Sequence, residues 1–388
     1  MSSIVKHGLA AAILALTTNT AVAVDTQARL APVYERLESE GERNAVLNQM
    51  ELGARAYELK DYETATRAFD FALNQIESFY SNKEGAEQAR SLWYEEGRKD
   101  FKGEPYERVM AYYYRGLLYL QEQDWGNARA SFEGGMLQDA FAEEDQNRFD
   151  FALMAYLSAW ASFRESNDVM QDRALKELAV LRKDVPAFGK GHNTLLVVET
   201  GTSPRKLGDG IGHYELVYRR GRKFDEERVA VVLGGKETQV YPMEDVFWQA
   251  TSRGGRAVDR IVKGKASFRS TNAGVGGVLA DTASTLQILQ PISGSLGAVA
   301  GTLGAIGAMQ MFVASKVNAK ADVRYWSSLP DAVHVMSLKS NPGQTATVKF
   351  FDKAGTELPE LTQTVTMPDN GGVVWVRSRP SGTMPRHK

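Results

Sequence analysis

Two stretches of the chain repeat one another at spaced positions, and this self-similarity limits the fold more than any other feature. Counting from Gly53, residues Ala56, Tyr62, Ala65, Phe69 and Ala72 follow at offsets 3, 9, 12, 16 and 19; counting from Gly116, residues Tyr119, Trp125, Ala128, Phe132 and Gly135 fall at the same offsets. From Arg29 to Arg182 Ala, Leu, Glu and aromatic residues recur three and four apart with few Gly or Pro, which is the period of amphipathic helices. Glycine and alanine at fixed distances from bulky rings are what paired helices need where their backbones nearly touch.

The pattern resembles the tetratricopeptide repeat, in which a small residue lets helix A approach helix B, an aromatic fills the turn, and Ala-x-x-x-Phe packs helix B on its neighbours. A weaker third copy uses Ala174, Leu178, Leu181 and Pro186, with Glu165 where an aromatic is usual. Such units do not bury their apolar faces alone, so about three or more are needed, and Phe149 to Phe163 are expected to supply part of another. An insertion from Tyr80 to Gly103 separates the first two copies. In this architecture helix A lines the concave face, which places Met50, Tyr57, Tyr113, Leu117 and Leu120 there as candidate anchors for an extended or helical peptide. The other reading is that these side chains pack against the inserted segment or the second half of the chain.

Residues 1–23 read as a secretory signal: Lys6 gives a positive start, Gly8 to Leu16 an apolar run too short to span a bilayer, and Ala21-Val22-Ala23 a small-x-small cleavage pattern. A periplasmic or envelope-associated location is therefore expected. The chain has no Cys, which excludes disulfides, a thiol nucleophile and a lipidated cysteine. Of its five His, His192, His213 and His334 lie far apart, so no metal site and no cofactor is expected. Charge is split: residues 24–190 hold 21 Lys/Arg against 31 Asp/Glu, and residues 191–388 hold 24 against 17. The basic half is thus suited to an anionic surface or to the acidic half, while nucleic-acid binding would call for basic character throughout.

After Val185-Pro186 the period changes. Strand-like runs cover Thr194 to Glu199, His213 to Tyr218, Arg228 to Leu233 and Glu237 to Tyr241, and a helix is expected from Met243 to Val262. Four further runs, Ala332 to Leu338, Thr345 to Phe351, Leu361 to Met367 and Val373 to Arg377, alternate between Asn-Pro-Gly and Asp-Asn-Gly turns. The fold class expected is α+β: a tetratricopeptide-like helical array, then a mixed region with Gly/Ala-rich helices and a small antiparallel β sheet. The boundaries expected are a signal peptide at 1–23, the helical domain at 24–188, a mixed region at 189–270, a Gly/Ala-rich apolar segment at 271–320, a small antiparallel β domain at 321–377 and a disordered tail at 378–388.

Gly103-Glu104-Pro105-Tyr106-Glu107-Arg108 reads as a helix start, with Pro at the first helical position and Glu107 near the positive end of the dipole. The alternative is a surface corner offering Glu104, Tyr106 and Arg108 to a partner. This hexapeptide, the Tyr112-Tyr113-Tyr114-Arg115-Gly116 run and the stretch from Ala321-Asp322-Val323-Arg324-Tyr325-Trp326 to Leu329-Pro330 resemble an uncharacterised family of bacterial envelope proteins with tetratricopeptide-like N-terminal halves. Its members are often lipoproteins encoded near activators of penicillin-binding proteins, which implies a cell-wall or outer-envelope context. The absence of Cys departs from that pattern.

Arg253, Arg256, Arg260 and Lys263 share one side of a continuous helix, a stripe suited to anionic lipid, anionic wall polymer or the acidic half of the chain, or simply to solvent. Residues 291–314 carry no charge, and small residues recur four apart there, as in Gly297/Gly301 and Gly301/Ala305. A buried or self-associating hairpin, and so a homo-oligomer, is one expectation; membrane association is the other. Catalytic patterns fail. Gly208-Asp209-Gly210 opens no periodic helix, Gly234-Gly235-Lys236 is followed by Glu237 where a phosphate loop needs Ser or Thr, and Gly201-Thr202-Ser203 has the wrong frame for a nucleophile elbow. The expectation is a non-enzymatic envelope scaffold or adaptor that binds a protein or peptide in the helical groove; the rival is a membrane-inserted oligomeric component of a secretion or polymer-export assembly.

Overall fold

The computed structural model describes residues 25–81, 100–139, 150–209, 215–252 and 322–381. The expected signal peptide, most of the insertion between the first two repeats, the stripe Arg253/Arg256/Arg260/Lys263 and the Gly/Ala-rich segment lie outside them. The protein mixes helix and sheet, consistent with an α+β class.

Helix α1 covers residues 25–40, and six more follow: α2 (Ala45–Glu58), α3 (Tyr62–Ser81), α4 (Pro105–Gln121), α5 (Trp125–Asp139), α6 (Ala152–Arg164) and α7 (Asp168–Leu181). They pack as hairpins, α2 on α3, α4 on α5 and α6 on α7, and each hairpin stacks on the next through α3 on α4 and α5 on α6. The small residues sit at the crossings. A Cβ added to Gly53 would lie 2.7 Å from the Phe69 ring, and one added to Gly116 would lie 2.2 Å from Phe132.

All three hairpins turn in the same way. Lys60, Gln123 and Ser166 take left-handed backbone with φ of 61°, 59° and 60°. The next residue donates back into helix A at 2.9 Å in each case: Asp61 to the Ala56 carbonyl, Asp124 to Tyr119 and Asn167 to Ser162. The side chains of Asp61, Asp124 and Asn167 then cap the following helix by accepting from Thr64, Asn127 and Met170. These turns correct the register of the third copy. By its turn, Ala159 stands where Gly53 and Gly116 stand, and Leu175 where Phe69 and Phe132 stand. The choice of Ala174, Leu178, Leu181 and Pro186 slipped by three residues because apolar pairs four apart recur along any amphipathic helix.

Among the described residues ten strands form two four-stranded sheets and a hairpin. The first sheet has the order β10 (Gly372–Arg377), β1 (Thr194–Thr200), β7 (Ala332–Leu338), β6 (Tyr241–Asp245). The second is β5 (Lys236–Gln239), β4 (Arg228–Leu233), β8 (Thr345–Phe351), β9 (Gln363–Thr366), and β2 (Arg205–Asp209) pairs with β3 (Glu215–Arg219). Residues 321–377 are thus no separate antiparallel domain. Their strands interleave with those of residues 189–270 in both sheets, and β10 runs parallel to β1. Each set alone has too few strands to cover a face. The helix expected from Met243 starts at Val246 as α8 (Val246–Ser252), because Pro242 and Met243 belong to edge strand β6 and Asp245 caps the helix by accepting from the Trp248 N–H at 2.9 Å.

Strand β1 is buried along its whole length. Leu195 and Val197 join the core shared with the helices, while Leu196 and Val198 join the core between the two sheets. Helices, first sheet and second sheet therefore form three layers around two cores. Strand β10 lies at an edge, and side chains cover its outer carbonyls: Gln121 donates to Val373 O at 3.4 Å and Gln363 to Arg377 O at 2.7 Å. The tail is docked at its start, contrary to the disorder expected from residue 378. Ser378 N–H donates to Glu199 O at 2.9 Å, and Ser381 N–H to the Glu58 carboxylate at 3.0 Å.

Candidate functional site

The inner face of the helical layer is where the sequence placed a binding groove, and the chain itself fills it. Helix α4 supplies the centre. Glu104 caps it and Glu107 returns a carboxylate oxygen to the Glu104 N–H at 2.7 Å, forming a reciprocal capping box with Pro105 at the first helical position. Glu107 is fully buried, and its other oxygen accepts the Trp326 N–H at 2.6 Å. Glu51 on α2 accepts both the N–H and the hydroxyl of Ser327, at 2.8 and 2.6 Å. Two carboxylates on neighbouring helices thus grip Trp326 and Ser327 of a strap, residues 322–331, that turns at Ser327 and Ser328 and leads into β7.

The rings complete the seat. Trp326 is fully buried, its ring centre 5.7 Å from Tyr114 and 6.1 Å from Phe69. Trp375 on β10 meets Tyr57 edge-on at 5.3 Å. Between them lies Glu199 of β1, buried, accepting from Tyr113 at 3.0 Å, Tyr114 at 2.9 Å and the Trp375 indole at 3.0 Å. Arg377 stands 3.5 Å from the same carboxylate and donates to Ser328 O at 2.6 Å.

Burial dominates the electrostatics. It raises the Glu199 carboxyl above its ordinary value against the opposing charge of Arg377 and the three hydrogen bonds. It lifts Glu107 to about 7 despite the nearby Lys206 ammonium, and Glu244 of β6 to about 7 despite Arg182. Tyr113 and Tyr114 are held well above the ordinary phenol value by burial and by Glu199. A donor set this complete around a carboxylate without solvent access clasps layers together.

Met50, Tyr57, Tyr113, Leu117 and Leu120 are all buried, and Tyr57 and Tyr113 lie against the first sheet at Trp375 and Glu199. The open groove expected of them is corrected accordingly: the second half of the chain covers it, which was the alternative reading. Tyr106 and Arg108 are buried too, and Glu104 pairs with Lys206 of β2, so the corner is closed. Arg108 donates to Gln138 at 2.9 Å and to Gly103 O at 2.7 Å. The three segments that carried the family resemblance meet here, joined by Glu107 to Trp326 and by Tyr114 to Trp326. Glu51, Glu199 and Trp375 went unnoticed in the sequence; the one signal was a carboxylate at the end of the apolar run Leu195 to Val198.

Among the described residues no group of three or more His, Asp or Glu side chains is placed to hold a metal ion, and no helix is long and apolar enough to cross a membrane. Comparison with protein-family models, with curated proteins and with solved structures gives no match.

Proposed function

We propose that the protein is an exported, non-catalytic scaffold or adaptor of the bacterial envelope, built on tetratricopeptide-like hairpins that hold the rest of the chain in cis. What supports this reading is that the inner aromatic face is occupied by Trp326 and Trp375 of the same chain, so the hairpins serve as a frame. A protein or peptide partner is then met on the outer helices and not through residues 271–320. The rival, a membrane-inserted oligomeric component of an export assembly, uses that same segment.

Affinity capture from envelope extract with the full chain and with a chain lacking residues 291–314 tests the proposal. Recovery from the soluble periplasmic fraction, with a partner captured by both forms, is the result expected. A carbonate-resistant membrane pellet that becomes soluble on deletion favours the rival. Because Tyr57 and Tyr113 are buried in the clasp, replacing both with Ala is expected to unfold the protein rather than to weaken capture alone.

A further inference from the structure

The β2–β3 hairpin and the residues just after it carry arginines for which the described residues supply no carboxylate partner. Arg205 and Arg219 are direct cross-strand partners, so their side chains leave the same face of the ribbon; opposite positions lie about 5 Å apart at Cβ, and like charges there are destabilising. Arg222 follows at the open end of the hairpin: Thr202 donates its hydroxyl to Arg222 O at 3.0 Å, and Arg205 donates through Nε to Arg220 O at 3.1 Å. Gly221 makes this approach possible, since a Cβ there would lie 2.3 Å from the Thr202 carbonyl oxygen. Backbone contact therefore sets Arg222 beside the Arg205–Arg219 pair, near enough for its charge to act on Arg205.

Neighbouring Arg220 shows what a structural arginine looks like in this fold. It reaches Asp245 at 2.8 Å, pairs with Asp331 at 2.5 Å, and lies over the Phe247 ring at 4.7 Å. Among the described residues no carboxylate lies within ion-pair distance of Arg205, Arg219 or Arg222. Partial burial and the like charges of Arg222 and Arg219 hold the Arg205 guanidinium below its ordinary value, and no carboxylate is among the groups acting on it. Arg219 and Arg222 are exposed, and Arg205 is half-buried beside them.

We propose that Arg205, Arg219 and Arg222 form a binding site for a phosphoryl group. The planar guanidinium fork pairs two N–H donors with two oxygens of a tetrahedral anion, and two forks from directly opposed positions, with a third at the ribbon's end, surround one such group. Binding would offset the repulsion among these like charges. The site stands apart from the scaffold reading: it needs neither export nor a protein partner.

The test uses the full chain and two probes, inorganic phosphate and phosphatidylcholine vesicles with or without phosphatidylglycerol. Thermal midpoints are recorded at fixed ionic strength, with chloride as the reference anion. Phosphate is expected to raise the midpoint of the wild type above chloride by linkage, and Arg219→Gln with Arg222→Gln is expected to lose that increment and to weaken the phosphate Kd by about tenfold or more. The double variant is also expected to melt higher than the wild type in chloride, since the repulsion is gone. Protection by phosphate supports a soluble phosphoryl ligand. Binding only to vesicles with phosphatidylglycerol, lost in the variant, supports a lipid headgroup as the source. Wild type and variant responding alike to both probes would overturn the site, and so would a variant that is no more stable in chloride and keeps its response to phosphate.

Discussion

The helical layer has two faces with opposite fates. On the inner one, α4 and α6 bury nearly every residue, and Tyr57, Tyr113 and Tyr114 spend their rings and hydroxyls on β1, β10 and the strap. On the outer one, Val169 and Val180 of α7 are 76% and 83% exposed, and charged neighbours pair along the helix, Arg173 with Glu177 and Lys176 with Asp172. Both faces come from the same hairpins with the same turns. A repeat therefore specifies how helices pair, while the rest of the chain decides whether the face they present is a groove for a partner or a bed for its own sheet.

The sharpest way to break this contrast is to empty the seat. Trp326→Ala should cost about 3–5 kcal/mol, read as a fall in the urea midpoint, because a fully buried indole leaves a void beside the stacked rings of Phe69 and Tyr114. A loss no larger than that of a surface substitution would mean that the strap does not anchor the layers. Gly116→Ala should cost about 1–3 kcal/mol by overpacking against Phe132, although alanine is the better helix former. The matched change Ala159→Gly should cost only about 1 kcal/mol, since the third hairpin has Leu175 where the others have a phenylalanine.

Protonation sharpens the contrast further. The Glu107 carboxyl is raised from 4.5 to about 7 by burial, so between those values the folded chain holds a proton that the unfolded chain has released. Folded protein then binds more protons, and stability falls as pH rises through that window, by roughly 3 kcal/mol for this group. Glu244 acts in the same direction. Denaturation measured across the window should show that slope, and Glu107→Gln should reduce it; a slope unchanged by the substitution would remove Glu107 as its source. At the small end, Val180→Ala on the outer face should change the urea midpoint by an amount worth about 0.5 kcal/mol or less.

The helices were legible because their evidence is local. Gly53 with Phe69 and Gly116 with Phe132 repeat at one spacing, and Gly103, Pro105 and Glu107 mark the start of α4 within a few residues. Strands β4, β7 and β8 were readable at their observed bounds for the same reason, since alternation is a property of adjacent residues. Which strands pair was not legible: β1 meets β7 and β10 from the far end of the chain, and nothing in a short run encodes that partner. The turns at Lys60, Gln123 and Ser166 were hidden because none uses the glycine that such backbone favours. The clasp was hidden for a third reason. Glu51, Glu107 and Glu199 are ordinary carboxylates in sequence, and only the backbone and side-chain donors brought to them by the fold make them a seat.

The claim that the chain fills its own groove is tested most directly by amide hydrogen exchange at Trp326 and Ser327, whose N–H groups donate to Glu107 and Glu51. If the strap is part of the core, both amides exchange as slowly as those of β1, through global unfolding alone. Exchange at the rate of an exposed loop, with β1 still protected, would mean that the strap leaves its seat and that the inner face is open to a partner after all.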